Sequence, residues 1–176
     1  MSIFDQMASF ESPTEDNVTK KKPNIVIFTN VDSFLDDLMI DLRKRGHEVR
    51  LVDFNSFTQS TQRHIQDSIQ TAIKWADICW FEFCHELSLQ LINQNLHKIN
   101  KKVVLRWHRF EIVEQPFPEM VNWDFVDDLI LVSDEMQKLL LKRVPDVQKK
   151  TRIHLIPNGL NTSKFTPSPA LDMKKI

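Results

Sequence analysis

Glycine is scarce in this sequence: only Gly46 and Gly159 occur in 176 residues. A phosphate-cradling loop of the GxGxxG or P-loop type needs several glycines in one short stretch so that backbone can approach the phosphates, and both are therefore excluded. Cysteine is as rare. Cys79 and Cys84 lie five apart on one apolar segment, a spacing that suits neither a CxxC redox pair nor a zinc knuckle. A reduced, cytoplasmic chain is the simplest expectation. No stretch approaches the roughly 20 apolar residues of a membrane span. The first residues, MSIFDQMASFESPTEDNVTKKK, do not read as a secretory signal, because no basic start is followed by an apolar run. An excess of either charge is missing too: 23 Lys and Arg against 24 Asp and Glu leave a formal charge of −1. No global field therefore attracts nucleic acid or an anionic membrane.

What is present is apolar residue in short, regularly spaced runs. Residues 1–22 are polar and aperiodic and read as a flexible arm, with Lys20-Lys21-Lys22 as its solvated end. Asn24 to Thr29 is a β-branched run of the kind buried on both faces of a parallel sheet. A helical pattern begins at Ser33, with Asp36 three residues on as a capping-box-like start, and carries Phe34, Leu35, Leu38 and Leu42 on one stripe. Gly46 follows the basic turn Arg43-Lys44-Arg45, the expected helix end, and His47 to Asp53 reads as a second strand. The pattern repeats: helix from about Thr61 to Ala76, strand Ile78 to Phe83, helix Leu87 to Ile99, strand Val103 to Trp107, strand Leu129 to Val132. Ser133 then caps a helix that Pro145 stops, and Arg152 to Ile156 reads as a sixth strand. Strands alternating with helices define an α/β class with a Rossmann-like, doubly wound parallel sheet in a single three-layer domain.

In such sheets ligands bind outside the carboxyl ends of the strands. The residues that follow the strands are therefore the candidates: Asn30 and Asp32 after the first, Glu82 near the end of the third, Arg106, His108, Arg109 and Glu111 around the fourth, Asn158 and Gly159 after the sixth. The fourth exit is the densest. Arg106 and His108 share one face by strand alternation, and an imidazole between a guanidinium and a carboxylate can donate or accept a hydrogen bond near neutral pH. Two arginines suit a phosphate or carboxylate. The plainer alternative is that the arginines pair with nearby acids and His108 is a rim histidine. For Glu82, reaching the rim and pairing within the sheet are equally open. His85-Glu86 lacks the second histidine of a zinc protease, since Leu89 stands there, and reads as a helix start. Ser133 lacks a GxSxG context and reads as a cap. Trp75, Trp107 and Trp123 read as packing, and nothing interleaves aromatic and basic residues as a nucleic-acid platform does.

Three segments carry a resemblance. Val103–Glu111 (VVLRWHRFE), Val126–Met136 (VDDLILVSDEM) and Ile153–Pro167 (IHLIPNGLNTSKFTP) resemble, in order and spacing, motifs of family-4 glycosyltransferases; upstream of residue 102 the resemblance is topological only. It implies the N-terminal domain of a GT-B fold, with residues 23–167 as the acceptor-side domain and residues 168–176 as the start of a linker to a C-terminal donor domain. It further implies a retaining transfer from a nucleotide sugar, with no metal or other cofactor, to a glycan, lipid-linked or protein acceptor. His108 matches the family's N-domain histidine near the reaction centre. Asn158 and Gly159 match its border turn, with Phe165 pinning the connection. The family's usual glycine-rich loop after the first strand is replaced by Asn30-Val31-Asp32-Ser33, and Asp32 would repel a phosphate unless paired. That argues against phosphate contact from this loop and leaves acceptor contact open. Without a donor domain the chain is expected to be inactive, and a non-catalytic half-transferase that scaffolds or regulates a partner enzyme is the alternative. A flavodoxin-like or receiver-like domain is a weaker third reading, since the third strand ends in Glu82-Phe83-Cys84 where a receiver needs its aspartate.

Overall fold

The structure, a computed structural model, describes residues 21–31, 35–57, 61–159 and 161–162. The expected arm up to residue 20, Asp32, Ser33, Phe34, and the segment from residue 163 with Phe165 and Pro167 lie outside the described residues. Six strands form one parallel sheet: β1 (Ile25–Thr29), β2 (Val49–Asp53), β3 (Ile78–Glu82), β4 (Lys102–Trp107), β5 (Asp128–Leu131) and β6 (Arg152–Leu155), in the order β2-β1-β3-β4-β5-β6. The α/β, Rossmann-like class expected from the alternation of elements is what the chain adopts. No helix among the described residues is long and apolar enough to cross a membrane.

The apolar runs are continuous because both sheet faces are covered. Val26, Phe28, Cys79, Phe81, Val103, Leu105, Trp107, Leu129 and Leu131 face one core. It is closed by α2 (Gln62–Trp75), α3 (Glu86–Asn93), α4 (Phe117–Met120) and α5 (Asp134–Arg143), with the short α6 (Val147–Lys150) beside them. Ile25, Ile27, Trp80, Val104 and Ile130 face the other way, onto Leu35, Met39 and Leu42, the last two of these from α1 (Asp36–Lys44). Each fully buried Val, Leu, Ile or Phe contributes about 1.5–3 kcal/mol relative to exposure, so period-2 burial on both faces sets the register firmly. Successive strands pair with a constant offset: Ile25 with Val49, Ile78 with Lys102, Val104 with Asp128 and Asp128 with Arg152. Cross-strand side-chain pairs on this register are 24 residues apart.

Local chemistry accounts for most element ends. Thr61 caps α2, its Oγ1 accepting from His64 N–H at 3.3 Å, and Ser133 caps α5 by accepting from Met136 N–H at 3.4 Å. Asp134 and Glu135 in the first turn of α5 and Lys142 and Arg143 in its last complement the helix dipole. Gly46 takes φ +90° after α1, as a helix end of this kind requires. The regular first helix runs from Asp36, after Leu35, and the capping start expected at Ser33 lies outside the described residues. One expectation is corrected. The single helix expected over Leu87–Ile99 is broken: α3 ends at Asn93, Asn95 turns left-handed at φ +57°, and a 3-10 turn follows at Leu96–Ile99. Asparagine tolerates that conformation better than other side-chain-bearing residues do.

Candidate functional site

The chain leaves β1 toward the α1 face of the sheet, and it leaves β3 toward the opposite face, where α3 lies. The carboxyl ends of β1 and β3 therefore flank the topological switch point, where open α/β sheets hold their ligands. After β1 the backbone turns without glycine: the Thr29 hydroxyl donates to Val31 C=O at 2.8 Å and accepts from Val31 N–H at 2.9 Å. Asn30 follows, its carbonyl accepting from the Asn55 amide while its own side-chain oxygen is shielded and has no hydrogen-bond partner among the described residues.

Glu82 ends β3 and is 0% exposed. Its alternation with Trp80 turns it to the α1 face, and the parallel register sets it opposite Arg106. One carboxylate oxygen, Oε1, accepts from Arg106 Nη1 at 2.9 Å and lies 3.0 Å from His108 Nε2. The other accepts from Trp80 Nε1 at 3.0 Å. Arg106 also donates through Nη2 to the Asn158 side-chain oxygen, which brings the turn after β6 onto the fourth-strand exit. Phe83 stacks on the His108 ring with centroids 4.1 Å apart and planes 2° from parallel. To do so Phe83 adopts φ +52°, a left-handed conformation that is costly for an aromatic residue and occurs mainly where surrounding structure over-determines it.

Arg106 and His108 do point the same way, and of the two open readings for Glu82 the structure takes the one paired within the sheet. The carboxylate that holds the imidazole is Glu82 and not the sequence neighbour Glu111. Glu111 is fully buried and clamps two strand exits together, accepting from Cys84 N–H and from His108 N–H, each at 3.1 Å. Arg109 turns outward to pair with Glu114 at the surface and does not join the cluster. Gly159 is exposed beside Asn158, and Asp32 lies outside the described residues. His85 is a helix start as expected, its Nδ1 accepting from Leu87 N–H at 3.0 Å. Burial pushes the Cys79 thiol up to about 12 and the Cys84 thiol higher still, so neither is a ready nucleophile.

Burial also raises the Glu111 carboxyl, against the backbone N–H groups that favour its charged form. A carboxyl raised in the folded state favours folding in its protonated form. That contribution is complete below the unfolded value and is lost as pH rises through the raised one. Glu111→Gln cannot titrate, and its amide presents N–H to one of two backbone donors, which costs about 1 kcal/mol. The wild type should therefore be more stable than Glu111→Gln at acid pH, with the gap narrowing as pH rises. Urea melts of both proteins across that range measure it, and a gap that widens with pH would contradict it.

A second polar cluster sits at the opposite edge of the sheet, and sequence reading missed it. Asp128 opens β5, 3% exposed, with His154 Nε2 at 2.8 Å, Lys102 Nζ at 2.9 Å and Arg152 Nε at 3.1 Å. Burial alone would raise this carboxyl, but the His154 and Lys102 hydrogen bonds and the nearby charges outweigh it and hold it below the usual carboxylate range. A groove of about 640 Å³ opens beside the amino ends of β5 and β6. Its cations are compensated: Lys149 by Asp146, Lys150 by Asp124, Arg152 by Asp128. This edge is where the sheet is knitted together, not where a parallel sheet holds ligand.

Comparison of the chain with protein-family models, with curated proteins and with solved structures gave no match.

Proposed function

We propose that this chain is the acceptor-side half of a retaining, cytoplasmic glycosyltransferase of the GT-B type, active only with a nucleotide-sugar-binding half. The observation that carries the reading is the Arg106–Asn158 hydrogen bond. It joins two of the three motif-like segments, 52 residues apart in sequence, at one rim. Arg106 and His108 both contact Glu82 there, at the carboxyl ends of the strands, where ligands of this fold class bind. In this reading His108 contacts the reacting sugars, while Asn30, Glu82, Arg106 and Asn158 shape the floor on which an acceptor rests. Glu111 acts through the backbone. The shortage of glycine fits the division of labour, because donor phosphates would be held elsewhere.

In the joined two-domain enzyme, His108→Ala should lower turnover by about 10²-fold, the lower range for a positioned proton-handling group. Radiolabelled sugar transfer measures the effect, and full activity in that variant would remove the role assigned to His108. In the isolated chain, simple saccharides should shift the NMR signals of the rim while sugar nucleotides leave them unmoved. The second reading, a non-catalytic half-transferase that scaffolds or regulates a partner, is favoured by one feature: Glu82 and Glu111 spend their oxygens on partners within the chain. A rim that binds no saccharide would support it.

A further inference from the structure

Glu82 has three polar partners, and two of them leave no choice about which side donates. The Arg106 guanidinium is a permanent cation with donors only, and the Trp80 indole N–H can only donate. Oε1 therefore accepts from Arg106 and Oε2 from Trp80, so both oxygens of the buried group serve as acceptors. The remaining contact, His108 Nε2 at 3.0 Å from Oε1, is a hydrogen bond only if Nε2 carries the proton. A neutral imidazole has one N–H and one lone pair, so the lone pair lies on Nδ1.

The surroundings keep the ring in that state. The Phe83 ring lies flat against it, and the His108 backbone N–H is held by Glu111 at 3.1 Å. The imidazole cannot flip without losing its bond to Glu82 and sliding against Phe83. Nδ1 has no hydrogen-bond partner among the described residues and is not among their sealed, unpartnered atoms. The His108 side chain is 12% exposed, so its open edge is small.

We propose that Glu82 is a positioning residue: it fixes His108 as the Nε2–H tautomer, so that Nδ1 is presented at the strand ends as the acceptor for a ligand hydroxyl. The functional consequence rests on the glycosyltransferase reading, in which that hydroxyl belongs to a saccharide. The tautomer itself does not.

Long-range 1H–15N correlation spectra of the uniformly 15N-labelled 176-residue chain, at a pH of about 8, above the ordinary imidazole range, test it directly. His108 is assigned by the signals that vanish in His108→Gln. The expected pattern is a protonated Nε2 and an unprotonated Nδ1. An Nδ1–H ring, or rapid averaging between the two tautomers, overturns the proposal. Glu82→Leu, with retention of fold judged by the His97 and His154 signals, should release His108 to a mixture of tautomers, and an unchanged ring would overturn the role of Glu82. Should that variant fail to fold, the wild-type spectrum still decides. An Nε2–H ring in a chain that transfers no sugar when joined to a donor half defeats the glycosyltransferase reading alone. An Nδ1–H ring in one that does defeats the tautomer assignment alone.

Discussion

Replacing Glu82 with alanine should cost about 3–5 kcal/mol of folding stability, the range for breaking a buried ion pair from one side. The loss is large because of what remains. Arg106 keeps its charge with its side chain only 12% exposed. Trp80 Nε1 and His108 Nε2 lose the acceptor they share with it. Hydrogen bonds to charged groups are worth about 1.5–3 kcal/mol, and they are not additive when they meet on one carboxylate. The Glu82→Ala/Arg106→Ala double variant should accordingly cost less than the sum of the two single variants, by about 0.5–3 kcal/mol. Urea unfolding with a shifted midpoint and unchanged slope is the measurement. A single-variant loss below about 1 kcal/mol would mean that water reaches Arg106 and that the cluster is not a buried ion site.

Trp107→Ala should be comparably damaging, about 3–5 kcal/mol, for an unrelated reason. Trp107 closes β4 at 0% exposure and meets Trp123 edge-on, with ring centroids 5.1 Å apart and planes at 76°. Its indole N–H has no acceptor among the described residues and lies against the Cys84 thiol. The residue therefore contributes through volume and ring contact, with little from a hydrogen bond. Trp107→Phe should keep most of that packing and relieve an orphaned donor, so it should lose clearly less than the alanine variant. Thermal or urea melts of the two variants decide the matter. Equal losses would show that a phenyl ring recovers none of the packing, and would overturn this account.

The strands were legible because each is a short apolar run bounded by polar residues, and burial on both faces leaves little freedom in where such a run begins. All six lie within a residue or two of where periodicity sets them. The stretch from Phe110 to Phe125 was not legible. It holds a π turn at Phe110–Glu114, α4 and a 3-10 turn at Trp123–Phe125, and none of these is long enough to show a period. They are fixed from a distance: Arg143 donates to Ile112 C=O and Gln115 C=O and pairs with Glu119. The candidate site divides in the same way. That Arg106 and His108 share a face follows from strand alternation alone. That their anion is Glu82 follows from β3 and β4 being neighbours, and strand order is not written in local sequence. Arg109 left the cluster because the chain curls into the π turn at once, which ends the alternation that would have placed it.

The parallel arrangement also bears on how the chain reaches this state. Antiparallel neighbours can zip from a tight hairpin, whereas here every neighbour must be brought in across a crossover. Four of the five pairings close the same two-dozen-residue separation, so none has an entropic head start over the rest. The exception is β1 on β3, where Ile25 meets Ile78 across 53 residues. Loop-closure entropy makes that seam dearer by about 0.7 kcal/mol, and non-local pairing of this kind slows folding relative to helical bundles. The seam is also the switch-point crevice. Refolding should therefore close the β1–β3 seam, with the Asn30 turn at its carboxyl end, after the β3–β6 half that carries Glu82, Arg106, His108 and Asn158 has formed.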